Sequence, residues 1–396
     1  MTRLPSLWLV VVLLSGAQVP GQSAFICIEP DGATGRSGAV VVNDVPLAHT
    51  TQVLPLDKSG RIVGREDITK QTSQVLANLS LILKAAGSDL SQVVKLNVYL
   101  ARGESIPAVQ LALSHSFKPL TYPAVSIVVS DLPETGALVA MDAVGVLASR
   151  PSGPRGALVY ESQGIESVAI LPAGPKIYVS GMADTNRLQA ATQKTLEKLL
   201  AALDHLGLNR TDIVQLKAFI RPMSEVGTVR QEITNFFTGK APPTVFVEWI
   251  SPSPNPPIEI ELIARGRKNQ SQESDALSFL TPPGTTSTKV FSRVVRVDRG
   301  KQVYVSALYG NPRSGSAEVR EIFGSLGSVL RKAGSDFDHL AKATYYVTDE
   351  EASNQLNLIR PEFYPPQRPP AASKAKVRGV GREGGTVTLD MIAVVP

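Results

Sequence analysis

Few residues of this chain stand in a pattern that could do chemistry. The four histidines, His49, His115, His205 and His339, are dispersed with no second ligand at helical or hairpin spacing, which argues against a metal centre. Ser180-Gly181 lacks the Gly-x-Ser-x-Gly setting of a nucleophile elbow, and no glycine loop precedes a helix in a phosphate-cradling form. What remains is an acidic strand face. In PIEIELIA, residues 257–264, the two-residue period of a strand puts Ile258, Ile260 and Leu262 on one side and Glu259, Glu261 and Ile263 on the other. A strand carboxylate is most often a solvated charge. Glu261, however, points away from the helix-packed side, toward a face that neighbouring domains would cover, and a carboxylate held there can exchange protons with a bound molecule.

The elements that carry this face are spelled three times. AAGSDLSQVVKLNVYL (85–100), HLGLNRTDIVQLKAFI (205–220) and KAGSDFDHLAKATYYV (332–347) share one grammar: a helix end, a glycine at the C-cap (Gly87, Gly207, Gly334), a polar turn and an alternating strand. Solenoid repeats are only about 20 to 50 residues long, so copies this far apart mean tandem domains. Before each copy comes a helix with an i, i+3, i+4 apolar stripe, over 72–86, 191–206 and 317–333. Val75, Leu79, Ile82 and Leu83 share one face, as do Leu196, Leu199, Leu200 and Leu203. Ahead of each helix, two strands broken by Asn-Asp, Ala-Gly or Asp-Arg-Gly read as a hairpin. A second helix (104–117, 223–237, 350–364) and two closing strands follow. The expectation is an α+β fold of three tandem β-β-α-β-α-β-β domains, helices on one face of each sheet. The domains span 24–150, 156–266 and 284–396, joined by Pro151–Arg155 and by the polar stretch 267–286. The uncovered sheet faces are best satisfied by one another, in an intrachain pseudo-trimer, so the mass in solution should be that of one chain.

The N-terminus differs from the rest. Arg3, the apolar run LWLVVVLL (7–14) and the small residues Ser15-Gly16-Ala17 predict a secretory signal peptide over 1–17, hence a secreted or periplasmic protein with no membrane segment after cleavage. Cys27 is the only cysteine, so no internal disulfide is available and the cores must suffice. The net charge of +5 is scattered, without the basic stripe of a nucleic-acid binder. Asn78, Asn209 and Asn269 open glycosylation triplets, the first inside a predicted helix.

The segment AGSDLxxVVKxxVYL, the strand IYVSG (177–181), the helix TVRQEITNFF (228–237) and the closing strand PIEIELIA resemble the RidA (YjgF) family. The resemblance recurs once per domain. It implies a chorismate-mutase-like fold, trimers with a cleft at each subunit interface, and enamine or imine deamination without a cofactor. In active members the closing pair of strands opens with Pro-Ala-Arg, whose guanidinium grips the substrate carboxylate. Here that position reads Val125, Thr244 and Ala372, with Lys374 and Arg378 nearby in the third domain. The resemblance further places the catalytic acid at Asp142, Glu261 and Asp390, cleft hydroxyls at Thr50, Ser180 and Ser306, and polar helix residues at Gln110, Arg230 and Asn357. His49 adjoins Thr50.

Three functions fit these residues. A cleft that keeps its hydroxyls and acids but not its guanidinium suits binding of a small metabolite, at a site built from Ser180, Arg230 and Glu261. A deaminase of the family's type is the alternative, but loss of a charge-assisted contact removes about 1.5 to 3 kcal/mol, roughly tenfold to a hundredfold in affinity. A non-catalytic scaffold is the third. A ribonuclease reading finds no histidine pair for acid–base work.

Overall fold

The computed structural model describes residues 23–147, 165–250, 255–268, 275–312 and 315–396. The predicted signal peptide, the joint 151–155 and Asn269 lie outside the described residues. Among those described, no helix is long and apolar enough to cross a membrane.

The first domain runs β1 Phe25–Asp31, β2 Arg36–Val42, β3 Leu47–Thr50, α1 Ile68–Ala85, β4 Val93–Leu100, α2 Ile106–Ser116, β5 Ala124–Val129 and β6 Val139–Val146. The second runs β7 Val168–Leu171, β8 Lys176–Asp184, α3 Leu188–His205, β9 Ile213–Ile220, α4 Val226–Phe236, β10 Thr244–Glu248 and β11 Ile258–Arg265. The third runs β12 Leu277–Leu280, β13 Val294–Val297, β14 Lys301–Val305, α5 Ser316–Ala333, β15 Leu340–Val347, α6 Glu350–Ile359, β16 Ala371–Lys376, β17 Gly379–Val380 and β18 Val387–Val395. The stretch 267–286, read as a linker, thus contains a strand. Its apolar LSFL sits among polar neighbours, and pairing with β13 supplies the partner that makes it a strand.

The repeated segment has a local cause. Gly87, Gly207 and Gly334 take φ of 85°, 69° and 80°, the left-handed conformation that ends a helix at least cost with glycine. Two residues on, Asp89, Asn209 and Asp336 each accept a hydrogen bond from a backbone N–H two positions ahead, at 2.7, 2.9 and 2.9 Å, capping a single helical turn that feeds the strand. The preceding helices bury their stripes: Val75, Leu79, Ile82 and Leu83 are at most 2% exposed, each contributing about 1.5 to 3 kcal/mol of burial. Leu200 is the exception on α3, only half-buried. Asn78 is buried on α1, its amide donating to the carbonyls of Leu54 and Leu56, so its triplet is inaccessible in the fold.

The expected hairpins do not close on themselves. β2 pairs with β14 of the third domain, β7 with β3 of the first, and β13 with β8 of the second, so each domain lends a strand to the sheet of another. Alternation in sequence marks a strand but not its partner, and an arm turned outward satisfies the same hydrogen bonds across a boundary. All three domain boundaries are therefore bridged by backbone ladders. Apart from one core under each pair of helices, apolar side chains from all three domains meet in shared clusters, among them Val94, Val214 and Ala341, and again Tyr99, Phe219 and Tyr346.

Candidate functional site

The three predicted catalytic acids lie on this shared face, at its centre, and two of them, Asp390 and Glu261, are bound to lysines. Asp390 accepts from Lys95 of the first domain at 3.0 Å and from Lys217 of the second at 3.2 Å. Glu261 accepts from Lys342 of the third domain at 2.6 Å and from Thr344 at 2.9 Å. Asp142 accepts from Asn97 at 3.0 Å and from the Tyr99 hydroxyl at 2.9 Å. Burial alone would raise the Asp390 carboxyl, but Lys95 and Lys217 outweigh it and hold it well below the usual range. Asp142 has no lysine in hydrogen-bonding contact, and burial pushes its carboxyl up. The cluster ties the three domains together and surrounds a cavity of about 30 Å³, room for a water or two. His49 faces this cavity beside Gln215, 1% exposed; burial lowers its pKa to about 4, against the opposing effect of the Gln215 side chain. The lysines were not anticipated, although one or two cations within otherwise apolar strands such as VVKLNVYL and IVQLKAFI signal a buried acid across the interface.

Strand register fixes which residues correspond. Tyr178, Tyr304 and His49 pair with Ile263, Ile392 and Val144, each two residues past an acid of the cluster. The hydroxyl position two residues further is Ser180, Ser306 and Thr51. Thr50 is therefore displaced by one residue; its hydroxyl stays within the first domain, accepting from the Ala143 N–H at 2.9 Å. Two threonines in succession gave the sequence no means of choosing. By the same register, the position after the hydroxyl is Gln52, Gly181 and Ala307. Across from it, two residues before the acid of the cluster, stand Ala140, Glu259 and Thr388.

These positions define three boundaries with different contents. Between the first and second domains, the Thr51 hydroxyl donates to Thr244 O at 2.9 Å, and the Gln52 amide donates to Phe246 O at 3.1 Å while accepting from Phe246 N at 3.2 Å. A cavity of about 50 Å³ remains there, lined by Ile165, Arg230 and Phe246 among others. Arg230 lies over the Phe246 ring, 5.3 Å from its centroid. Between the third and first domains, Val125 N donates to the Ser306 hydroxyl at 2.7 Å, and Ser306 donates to Ser37 O at 2.5 Å.

The boundary between the second and third domains keeps a carboxylate. Glu259 lies against the bare Cα of Gly181, where an added methyl group would fall 1.9 Å from its Oε1. The Gly181 N–H donates to Ser373 Oγ at 2.9 Å, and that hydroxyl is also hydrogen-bonded to Glu259. Arg293, leading into β13, donates through Nη1 to Ser180 Oγ at 3.1 Å and to Gly181 O at 2.6 Å. Burial pushes the Glu259 carboxyl up to about 7, and Glu261 two residues away adds to the rise, against the pull of Ser373, Arg293 and Lys374. Such a group is shared between its two protonation states near neutrality and can both give and take a proton. Lys374 donates to the Ser353 hydroxyl at 2.6 Å, and burial lowers its pKa to about 8. Arg378 pairs instead with Asp131 and Glu248, joining residues of all three domains.

The structure therefore separates residues that the sequence grouped. Ser180, Arg230 and Glu261 occupy the boundary of the second and third domains, that of the first and second, and the central cluster, respectively. They cannot form one site, because facing a neighbour on the same strand or helix does not say which neighbour. Asn357 is exposed on α6 and accepts from Arg360 at 3.1 Å, and Gln110 is half-buried on α2. Glu259, Arg293 and Ser373 were missed. Their signal was Gly181, a glycine inside a strand, which marks a close approach.

The family model described as Endoribonuclease L-PSP matches three times, over residues 30–147, 166–266 and 285–395, and the chain belongs to that family. A RutC family protein of Pyrococcus horikoshii is 38% identical over 82 residues, 20% of this chain and 64% of that protein, so the chain spans less than two thirds of it. The 2-iminobutanoate/2-iminopropanoate deaminase of Bos taurus is 29% identical over 112 residues, 26% of this chain and 79% of that protein. Among solved structures, a Rid family protein of unknown function from Yersinia pestis is 25% identical, covering 32% of this chain and all of that one, with a TM-score of 0.30.

Proposed function

We propose that this protein is an exported member of its family that works as a single-chain pseudo-trimer and binds a small carboxylate-bearing metabolite in one cleft, between its second and third domains. The observation that carries this reading is Glu259, a half-buried carboxyl shifted to about 7, set beside the Ser373 hydroxyl and within the field of Arg293 and Lys374. The other two boundaries offer no acid at that position, since Ala140 and Thr388 stand there. Thermal-shift screening of small 2-oxo and amino acids tests it: a ligand should stabilise the native chain and lose its effect in Glu259→Gln. Ligands that act equally on both forms place the site elsewhere.

The titration of Glu259 favours a second reading, hydrolysis of an imine, in which the carboxyl delivers a proton to the departing nitrogen and the carboxylate draws one from the attacking water. The deaminase relative gives that reading its substrates. Clearance of freshly generated 2-iminobutanoate by the native chain, abolished in Glu259→Gln, would establish it. The absence of arginine at Val125, Thr244 and Ala372 leads us to expect slow clearance or none.

A further inference from the structure

Arg360, at the end of α6, is 4% exposed, and its Nε and Nη1 have no hydrogen-bond partner among the described residues. Only Nη2 donates, to Asn357 Oδ1 at 3.1 Å, and the guanidinium lies 4.8 Å from the centroid of the Tyr345 ring. No carboxylate forms an ion pair with it among the described residues; Glu362, two positions on, is held by Arg320 at 2.9 Å. The Tyr345 hydroxyl is buried beside it, between Arg360 and Tyr364, and brings no negative charge to the guanidinium. A second cation is close. Lys374 sits directly opposite Tyr345 in the β15–β16 register, and repulsion from Arg360 is one of the causes of its lowered pKa, after burial. The carboxylates that draw on Lys374, Glu350 and Glu259, act at a distance, the second from across the cleft.

Two cations gathered in a low-dielectric place, with donors left over, are unfavourable unless an anion joins them. We infer that Arg360 and Lys374 form an anion site at the third-domain end of the cleft, taking the carboxylate of a small ligand whose opposite end reaches Glu259. This rests on the cleft reading above. The alternation of β16 supports it: Ser373 faces Gly181 and the cleft floor, whereas Lys374 faces α6 and Arg360, so the anion and the proton-exchanging carboxyl are recognised from two sides of one strand.

Calorimetric titration of the full chain with formate, 2-oxobutanoate and uncharged butanone tests the inference. Both anions should bind and butanone should not. Arg360→Gln and Lys374→Met should each weaken the anions about tenfold or more, the loss expected for a charge-assisted contact, and Arg360→Lys should retain part of the affinity. Arg360→Gln should also raise the melting temperature of the ligand-free chain, because it removes an unpaired buried charge. Anion affinities unchanged in both variants overturn the site; if Glu259→Gln still weakens 2-oxobutanoate, the cleft reading survives. Formate bound through Arg360 with no binding of 2-oxobutanoate upholds the anion site and removes the cleft reading. No anion bound at all removes both.

Discussion

Glu259 and Glu261 are two residues apart on one strand and share one face of it, yet they belong to different regions of the molecule. Glu261 meets Lys342 and Thr344 of the third domain at the centre, as Asp390 meets Lys95 and Lys217 of the other two. Glu259 lies at the boundary with the third domain, where the Ser373 hydroxyl and more distant cations surround it and burial raises its carboxyl to about 7. The difference teaches where stability and chemistry are kept. A neutralised carboxylate is fixed in charge and serves to hold domains in order; one left without a close cation stays free to change charge, and so can serve a ligand.

The first way to break this comparison is at the centre. Asp390→Ala leaves Lys95 and Lys217 buried without their shared partner, and should lower unfolding free energy by about 3 to 5 kcal/mol in denaturant titrations. A loss below about 1 kcal/mol, in the range of exposed pairs, would mean that the cluster does not act as the domain tie. At the boundary of the first and second domains, Gln52→Ala removes two hydrogen bonds to Phe246 and should cost about 1 to 3 kcal/mol. The same loss should leave ligand binding untouched, which separates that boundary from the one that carries Glu259.

A further way to sharpen the comparison concerns pH. A carboxyl raised from 4.5 to about 7 in the folded chain binds its proton more tightly there than in the unfolded chain. Its contribution therefore favours folding below about pH 4.5 and is lost as pH rises toward 7. Melting temperatures of the native chain minus those of Glu259→Gln should fall across that window. A flat difference would show that Glu259 titrates as an ordinary exposed carboxyl.

Much of this was legible in the sequence. The repeated Gly-x-Asp or Gly-x-Asn turn, the apolar helix stripes and the order of elements are local patterns, and local hydrogen bonds enforce them. The shared face of Glu259 and Glu261 followed from strand period alone. What could not be read was the partner across each boundary: the arms expected as hairpins pair with other domains, and Ser180, Arg230 and Glu261 lie at three separate places. Nor could sequence choose between Thr50 and Thr51, because a one-residue slip between two adjacent threonines leaves the pattern of residue types intact. The exchange of Gly181 with Glu259 in one domain for Gln52 with Ala140 in another became visible only once register aligned them.

The central claim is that one cleft of the three binds, and that Glu259 is part of it. Calorimetric titration of the native chain with 2-oxobutanoate, beside Glu259→Gln and Gln52→Ala, tests it most directly. One site per chain, lost in Glu259→Gln and retained in Gln52→Ala, is the predicted result; three equivalent sites, or one indifferent to Glu259, would contradict it.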